Sequence, residues 1–573
     1  MSQGFLQFGI TCQAWSGPWT KPATVRENLG LNLLFRLTSP LEGLKLAADS
    51  CLTSVLSFLK LAATDCLRQL EADLRSSDPR THFQNKLAGT ITAAGLIALC
   101  IGAAQAQTAS TGRVGQTGAS NTQSQPPAAP VPEGDSFSEL QPPEEQEIAD
   151  REPLSWNLKK FPPQPYMHEV YSQFPKDTPA FFRDSLLQFI ARTYYFTRGN
   201  FDGSRSQAWT AGGWVAFRSG LIGNIFGMHA AVYTSQPLFA PGDVGGTKLL
   251  TPDQDALNSL GQIYGRVQIM DQEFRGGRLL VDTPLINPQD NRMVPNTFEG
   301  ITLVTLPDTD RDYDYAAGYL TAIKQRDSNK FISMSDALAG GDVENRGAPF
   351  GMVRYRPFSG FSTVFSDYYI QDFVNTGFFQ AEYDFRRPKA TPNWILGANI
   401  IPQGSVGSDL LTGNSFQTYQ ASAKVQTAYV GWTLFAAGSV TGDQSKIFSP
   451  FGSKPNYTDM QQLSFDNASE KALGGSVAYD FGYAFSKYGL SGLSAGVWDT
   501  QGWGAVNPAT GLGIPDRNEL DLWMQYRPTS GPLQGLRVRT QYSNIWQSGN
   551  VTNPQTEFRV VVDYTVLIRP LIK

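Results

Sequence analysis

Basic side chains recur at alternate positions through the C-terminal two thirds of the chain: Arg192, Arg218, Arg266, Arg354, Arg356, Lys424, Arg527, Arg537, Arg539 and Arg559. Each falls on the polar parity of a stretch in which polar and apolar residues alternate. Guanidinium groups placed along one surface offer successive two-pronged sites for a carboxylate, which lowers the cost of leaving bulk water. The plainer reading is bracing, with each cation paired to an Asp or Glu on a neighbouring strand. A second candidate is VDTPLINPQDNRMVPNT, where Pro284, Pro288 and Pro295 make a poor strand and a good ordered loop. If that loop turns inward, Asp290 and Arg292 are its polar groups at a narrow point. An ordinary exposed loop is the alternative.

Other chemistries are poorly provided for. Cys12, Cys51, Cys66 and Cys100 are the 4 cysteines, and the rest of the chain has no thiol. Disulfide scaffolds, cysteine-bound zinc, iron–sulfur centres and cysteine nucleophiles are thereby excluded there. Asp308, Asp310, Asp312 and Asp314 suggest a calcium loop, but Tyr313 and Tyr319 stand where such a loop needs Gly and Glu. A solvated strand end is the better reading. His229 lies in a strand pattern with no nucleophile elbow nearby, so a Ser–His–Asp enzyme finds no support. Phosphate-loop, zinc and dinucleotide patterns are absent, and no cofactor is expected. The net charge of −5 speaks against a nucleic-acid partner.

The elements that must carry these groups are strands. Only 17% of the 573 residues are charged, while Gly (55), Phe (35), Tyr (22) and Trp (11) are abundant. Near the end, Phe558, Val560, Val562, Tyr564, Val566 and Ile568 oppose Arg559, Val561, Asp563 and Thr565. Leu536, Val538, Thr540 and Tyr542 likewise oppose Arg537, Arg539, Gln541 and Ser543. Leu520, Leu522, Met524 and Tyr526 oppose Glu519, Asp521, Trp523, Gln525 and Arg527. The same pattern runs through residues 378–386 and 419–429. These runs are about 8 to 11 residues long, enough for a tilted strand to cross a bilayer. A face carrying several full charges must meet water, and its opposite must meet lipid. Closure into a barrel satisfies both and leaves no unpaired edge. The expected class is therefore all-β, a transmembrane antiparallel β-barrel over residues 181–573, with about 16 to 19 strands and an even count favoured.

The N-terminal part reads differently. Residues 81–106 contain an apolar Ala- and Gly-rich run ending in Ala104-Gln105-Ala106, the small-x-small pattern of a signal-peptide cleavage site. Residues 1–80 are then a start-site artefact or an unstructured extension. Residues 107–180, rich in Pro, Ser and Gln, are a flexible leader. That leader is too short for the plug of an energised transporter.

Specific residues then become recognisable. FFRDSLLQFIARTYYFTR (181–198), WTAGGWVAFRSGLIGNIFGMHA (209–230), Lys248-Leu249-Leu250, NRMVPNTFEGITL (291–303), GPLQGLRVR (531–539) and EFRVVVDY (557–564) resemble the OprD-like family of substrate-specific outer-membrane porins of Gram-negative bacteria. The third-last of these stretches is similar to the family's Arg-Leu-Leu-Pro-x-Thr-Phe-x-Gly signature, with Met293 and Val294 in place of leucines. The chain ends in Arg569-Pro570-Leu571-Ile572-Lys573 and not in the usual aromatic. The resemblance implies 18 strands, an inward-folded constriction loop, a basic row down one wall and passive diffusion of small solutes, commonly carboxylates. It also implies outer-membrane lipid and the barrel-assembly machinery as partners, and a monomer or homotrimer. A barrel enzyme or a non-conducting adhesive barrel is the alternative.

Overall fold

The structure is a computed structural model that describes residues 168–570 apart from 173, 176, 307–311, 342, 386–391, 486–490, 529, 532 and 550–553. The regions read as start-site extension and signal peptide, and all but the end of the leader, lie outside the described residues.

The strands are β1 (His168–Ser172), β2 (Leu186–Gly199), β3 (Arg205–Arg218), β4 (Phe226–Phe239), β5 (Leu257–Ile269), β6 (Gln272–Leu279) and β7 (Thr297–Thr305). They continue with β8 (Tyr313–Lys324), β9 (Ile332–Ser333), β10 (Ala348–Tyr355), β11 (Phe361–Ile370), β12 (Val374–Asp384), β13 (Asn393–Ser405) and β14 (Gln417–Tyr429). The last are β15 (Trp432–Thr441), β16 (Lys471–Asp480), β17 (Leu493–Trp503), β18 (Arg517–Tyr526), β19 (Leu536–Gln547) and β20 (Gln555–Pro570). Without β1 and β9 these make a closed antiparallel barrel of 18 strands. Closure joins β2 to β20, from Leu187 opposite Ile568 to Gly199 opposite Thr556.

β1 falls inside the segment read from sequence as leader. It runs parallel to β20, with His168 opposite Val566, and takes the edge of β20 beyond the point where β19 begins, at Leu536 opposite Tyr564. Gly535 makes room for it at φ 96°. A Cβ there would lie 2.4 Å from the Thr565 carbonyl oxygen and 2.9 Å from the His168 nitrogen. Folded structure therefore starts ahead of residue 181.

The two faces of each strand part as the alternation demands. On β18, Leu522 and Met524 are exposed, while Glu519 and Asp521 are buried within the barrel. On β20, Phe558 points outward, whereas Glu557, Arg559 and Asp563 are buried inward. Outward apolar side chains stay exposed because lipid is their solvent. Leu522→Arg places a charge mid-strand on this face and is expected to destabilise the barrel by about 2–4 kcal/mol. Equilibrium unfolding in lipid vesicles would read that loss.

Connections differ between the two ends. The end reached by β2 carries the long segments 240–256, 280–296, 325–347 and 442–470, while the other has turns as short as 270–271 and 430–431. Long loops belong outside the cell and short turns on the periplasmic side. Two of the long loops do not stay outside. Leu285 and Ile286 of segment 280–296, and Ile447 and Phe451 of segment 442–470, pack against inward residues of β10–β12 such as Phe350, Tyr368 and Ile370. The inward face was expected to meet water throughout. On the β5–β13 side part of it is instead apolar, and the loops bury that part.

Candidate functional site

Arg192 anchors the first inward loop to the wall. From β2 its guanidinium donates to Asp563 Oδ1 on β20 at 2.6 Å, and to Asp290 Oδ1 and the Arg292 carbonyl of the loop, each at 2.6 Å. Asp563 also accepts from Arg537 Nε at 2.7 Å. Farther along the loop, Lys324 Nζ donates to the Pro295 carbonyl at 3.4 Å. The proline-rich segment read as an inward loop is thus held inside the barrel.

The second inward loop, 442–470, was not foreseen. Wall side chains hold its backbone. Gln403 donates to the Phe448 carbonyl and accepts from its nitrogen, both at 2.8 Å. Gln420 donates to the Phe465 carbonyl at 2.7 Å, and Glu519 accepts from the Leu463 nitrogen at 2.7 Å.

Between the two loops lies a cavity of about 390 Å³. Its cations are Arg198, Lys248, Arg292, Arg326 and Lys454; Gln289, Asn291, Gln461, Gln462 and Trp498 also line it. Arg198 is paired with Glu557 at 2.8 Å and Lys454 with Asp466. Arg292 and Arg326 are different. Arg292 donates to the Thr247 and Asn291 carbonyls at 3.1 and 2.9 Å, and Arg326 donates to the Asn291 side-chain oxygen. Burial, with Arg559 nearby, pulls Arg292 below its ordinary pKa, and burial likewise lowers Lys248. Positive charge crowded out of water is a place for an anion.

Of the cations and loop residues singled out from sequence, Arg292 alone lines this cavity. Asp290 serves as the loop's anchor. Arg537 joins Arg192 on Asp563, and Arg559 pairs with Glu557 while donating to Gln461 at 3.1 Å. Arg539 donates to Gln541 at 3.2 Å, and Arg527 is buried just past β18. These four arginines, with Arg192, occupy the inward side of β2 and β18–β20, below the cavity. The others stand elsewhere. Arg218 and Arg266 meet Glu273 near the periplasmic turn, each at 2.9 Å, together with Arg275 at 2.7 Å. Arg354 and Arg356 share Asp314 at 2.8 and 2.6 Å. Lys424 pairs with Glu382 at 2.5 Å. Most of the row is thus matched by carboxylates, as the bracing alternative had it.

Arg198 and Lys248 lie within the family-like stretches, so their place could have been read from the resemblance. Arg326 and Lys454 sit in connections without periodicity and left no such signal. His229 stacks on Tyr264 with ring centroids 5.0 Å apart, a half-buried ring against a buried one.

A family model described as "outer membrane porin, OprD family" matches residues 179–568. The chain belongs to the OprD family of outer-membrane porins. Porin D of Pseudomonas aeruginosa is 24% identical over 429 residues, covering 68% of this chain and 93% of its own. Among solved structures, OpdK of Pseudomonas aeruginosa with vanillate superposes with a TM-score of 0.59 at 21% identity, covering 68% of this chain and 100% of that one. A BenF-like porin from Pseudomonas fluorescens gives 0.59 at 18% identity, covering 67% and 99%. Those two likenesses establish the fold. The porin is a non-enzymatic channel of the bacterial outer membrane, through which small molecules pass.

Proposed function

We propose that the porin conducts small carboxylate-bearing solutes by passive diffusion, from the basic cavity down the wall formed by β2 and β18–β20. The observation that carries this reading is the pair Arg292 and Arg326, which face the cavity with only carbonyl and amide oxygens as hydrogen-bond acceptors among the described residues. A guanidinium has five N–H donors, so both have capacity left for a carboxylate. Below them, Arg559, Arg539, Arg537 and Arg527 are partly satisfied, which makes each a weak station, with Arg192 kept as the loop's anchor. Conduction needs several such stations, each attractive enough to enter and loose enough to leave. A space of about 390 Å³ suits a small organic acid.

The test is uptake by vesicles holding the purified porin, with propionate against propionamide as solutes of matched size. Changing both Arg292 and Arg326 to Gln should slow propionate about tenfold, the effect of losing about 1.4 kcal/mol of charge-assisted contact. Propionamide should change by less than about twofold. Equal slowing of both would leave only a steric role for the two arginines. The same reading has the protein exported from a Gram-negative cell through residues 81–106, folded by the barrel-assembly machinery and solvated by outer-membrane lipid. Sequencing of the outer-membrane form should then begin at Gln107.

A further inference from the structure

Each inward loop is tied to the wall, but among the described residues the bonds that tie the loops to each other converge on one residue. Asn287, buried to 1% exposure, donates from its backbone nitrogen to the Phe451 carbonyl at 3.0 Å. Its side-chain Nδ2 donates to the Ser453 carbonyl at 2.8 Å, and its Oδ1 accepts from the Ser453 nitrogen at 2.8 Å. The amide therefore pairs with the second loop as another strand would, using one donor and one acceptor at once. Gly452, between those partners, lies so close that an added Cβ would stand 2.3 to 2.7 Å from the Asn287 amide atoms. A few residues on, both segments line the cavity, with Gln289, Asn291 and Arg292 on one side and Gly452, Ser453 and Lys454 on the other.

We propose that Asn287 is a positioning residue that fixes the bore of the porin by clasping segment 280–296 to segment 442–470. The side chain has no contact with the solute to make. It acts through where it holds Arg292 and Lys454 relative to each other. Neither Asp, which has no donor for the Ser453 carbonyl, nor Leu, which has neither group, can close the clasp. The inference depends on the channel role and is independent of the preference for carboxylates.

The experiment is single-channel recording with polyethylene glycols of graded size, which reports the bore directly. Asn287→Ala and Asn287→Asp should both admit larger polymers than the native porin and raise the conductance about twofold. Gly452→Ala, which crowds the amide from the other side, should widen the bore in the same way and serves where an Asn287 variant does not insert. The chain has no cysteine beyond Cys100, so N287C/S453C can be closed and reopened chemically. Oxidation that consumes both thiols should restore the narrow cut-off, and reductant should abolish it. An unchanged polymer cut-off in inserted Asn287→Ala channels would overturn the proposal. A bore that stays wide after both thiols are consumed would do the same. A role confined to stability would lower the yield of folded channels and leave the cut-off unmoved. Persistence of propionate preference in a widened channel would support the separation of bore from charge.

Discussion

Asp563→Ala is expected to destabilise the barrel by about 3–5 kcal/mol and, in the channels that still fold, to loosen the first inward loop. The carboxylate is fully buried on β20, between Arg192 on β2 and Arg537 on β19. Removing it strands two guanidinium groups where water is scarce, and an unpaired buried charge is far more costly than the pair was favourable. The loss falls on the seam, since β2 and β20 are the strands that close the barrel. It also reaches the pore, because Arg192 is the residue that grips Asp290 and the Arg292 carbonyl. Denaturant midpoints in vesicles measure the first effect, and current noise in planar bilayers measures the second. Asp563→Asn retains the shape but not the charge, and should reproduce most of the loss. A native midpoint with either variant would mean that the two arginines are hydrated, or paired with another group, once Asp563 is gone.

Glu273→Gln should produce a destabilisation of similar size, about 3–5 kcal/mol, with the pore left as it is. Glu273 is fully buried and accepts from Arg218, Arg266 and Arg275 at once. Its carboxylate draws three guanidinium groups together, and its removal takes that shared attraction away and leaves their mutual repulsion. The cluster lies near the turn at 270–271, and its Arg275 borders residues 280–283 where the first inward loop begins, ahead of Asn287 and the cavity lining. Unfolding measurements should therefore show the loss, while conductance and polymer cut-off match the native channel. The contrast with Asp563 separates bracing that serves the wall from bracing that also serves the constriction.

The barrel was legible because its alternation has a single physical cause. Leu520, Leu522 and Met524 must meet lipid and Glu519, Asp521 and Gln525 must not, so parity alone assigns both faces of β18. The inward loop at 280–296 was legible because three prolines cannot be accommodated in a central strand. Pairing was not. Arg192 and Asp563 are 371 residues apart in sequence, and only the closing register of β2 on β20 brings them together. The second inward loop was hidden for a related reason. Segment 442–470 is held inside by Gln403, Gln420 and Glu519, each of which reads locally as an ordinary polar position on a strand. β1 escaped notice because a run as short as HEVYS carries too few alternations to stand out from its leader.

The greasy packing between the inward loops and β10–β12 has an electrical consequence. A barrel this wide would by itself spread an applied voltage over the whole thickness of the membrane. The apolar packing of the loops against β10–β12 displaces water from that side of the lumen, so ionic current is pushed toward the opposite wall. Arg292 and Arg326 line the cavity between loops that spring from the long-loop end of the barrel, so the current–voltage relation should bend more for one polarity than for the other.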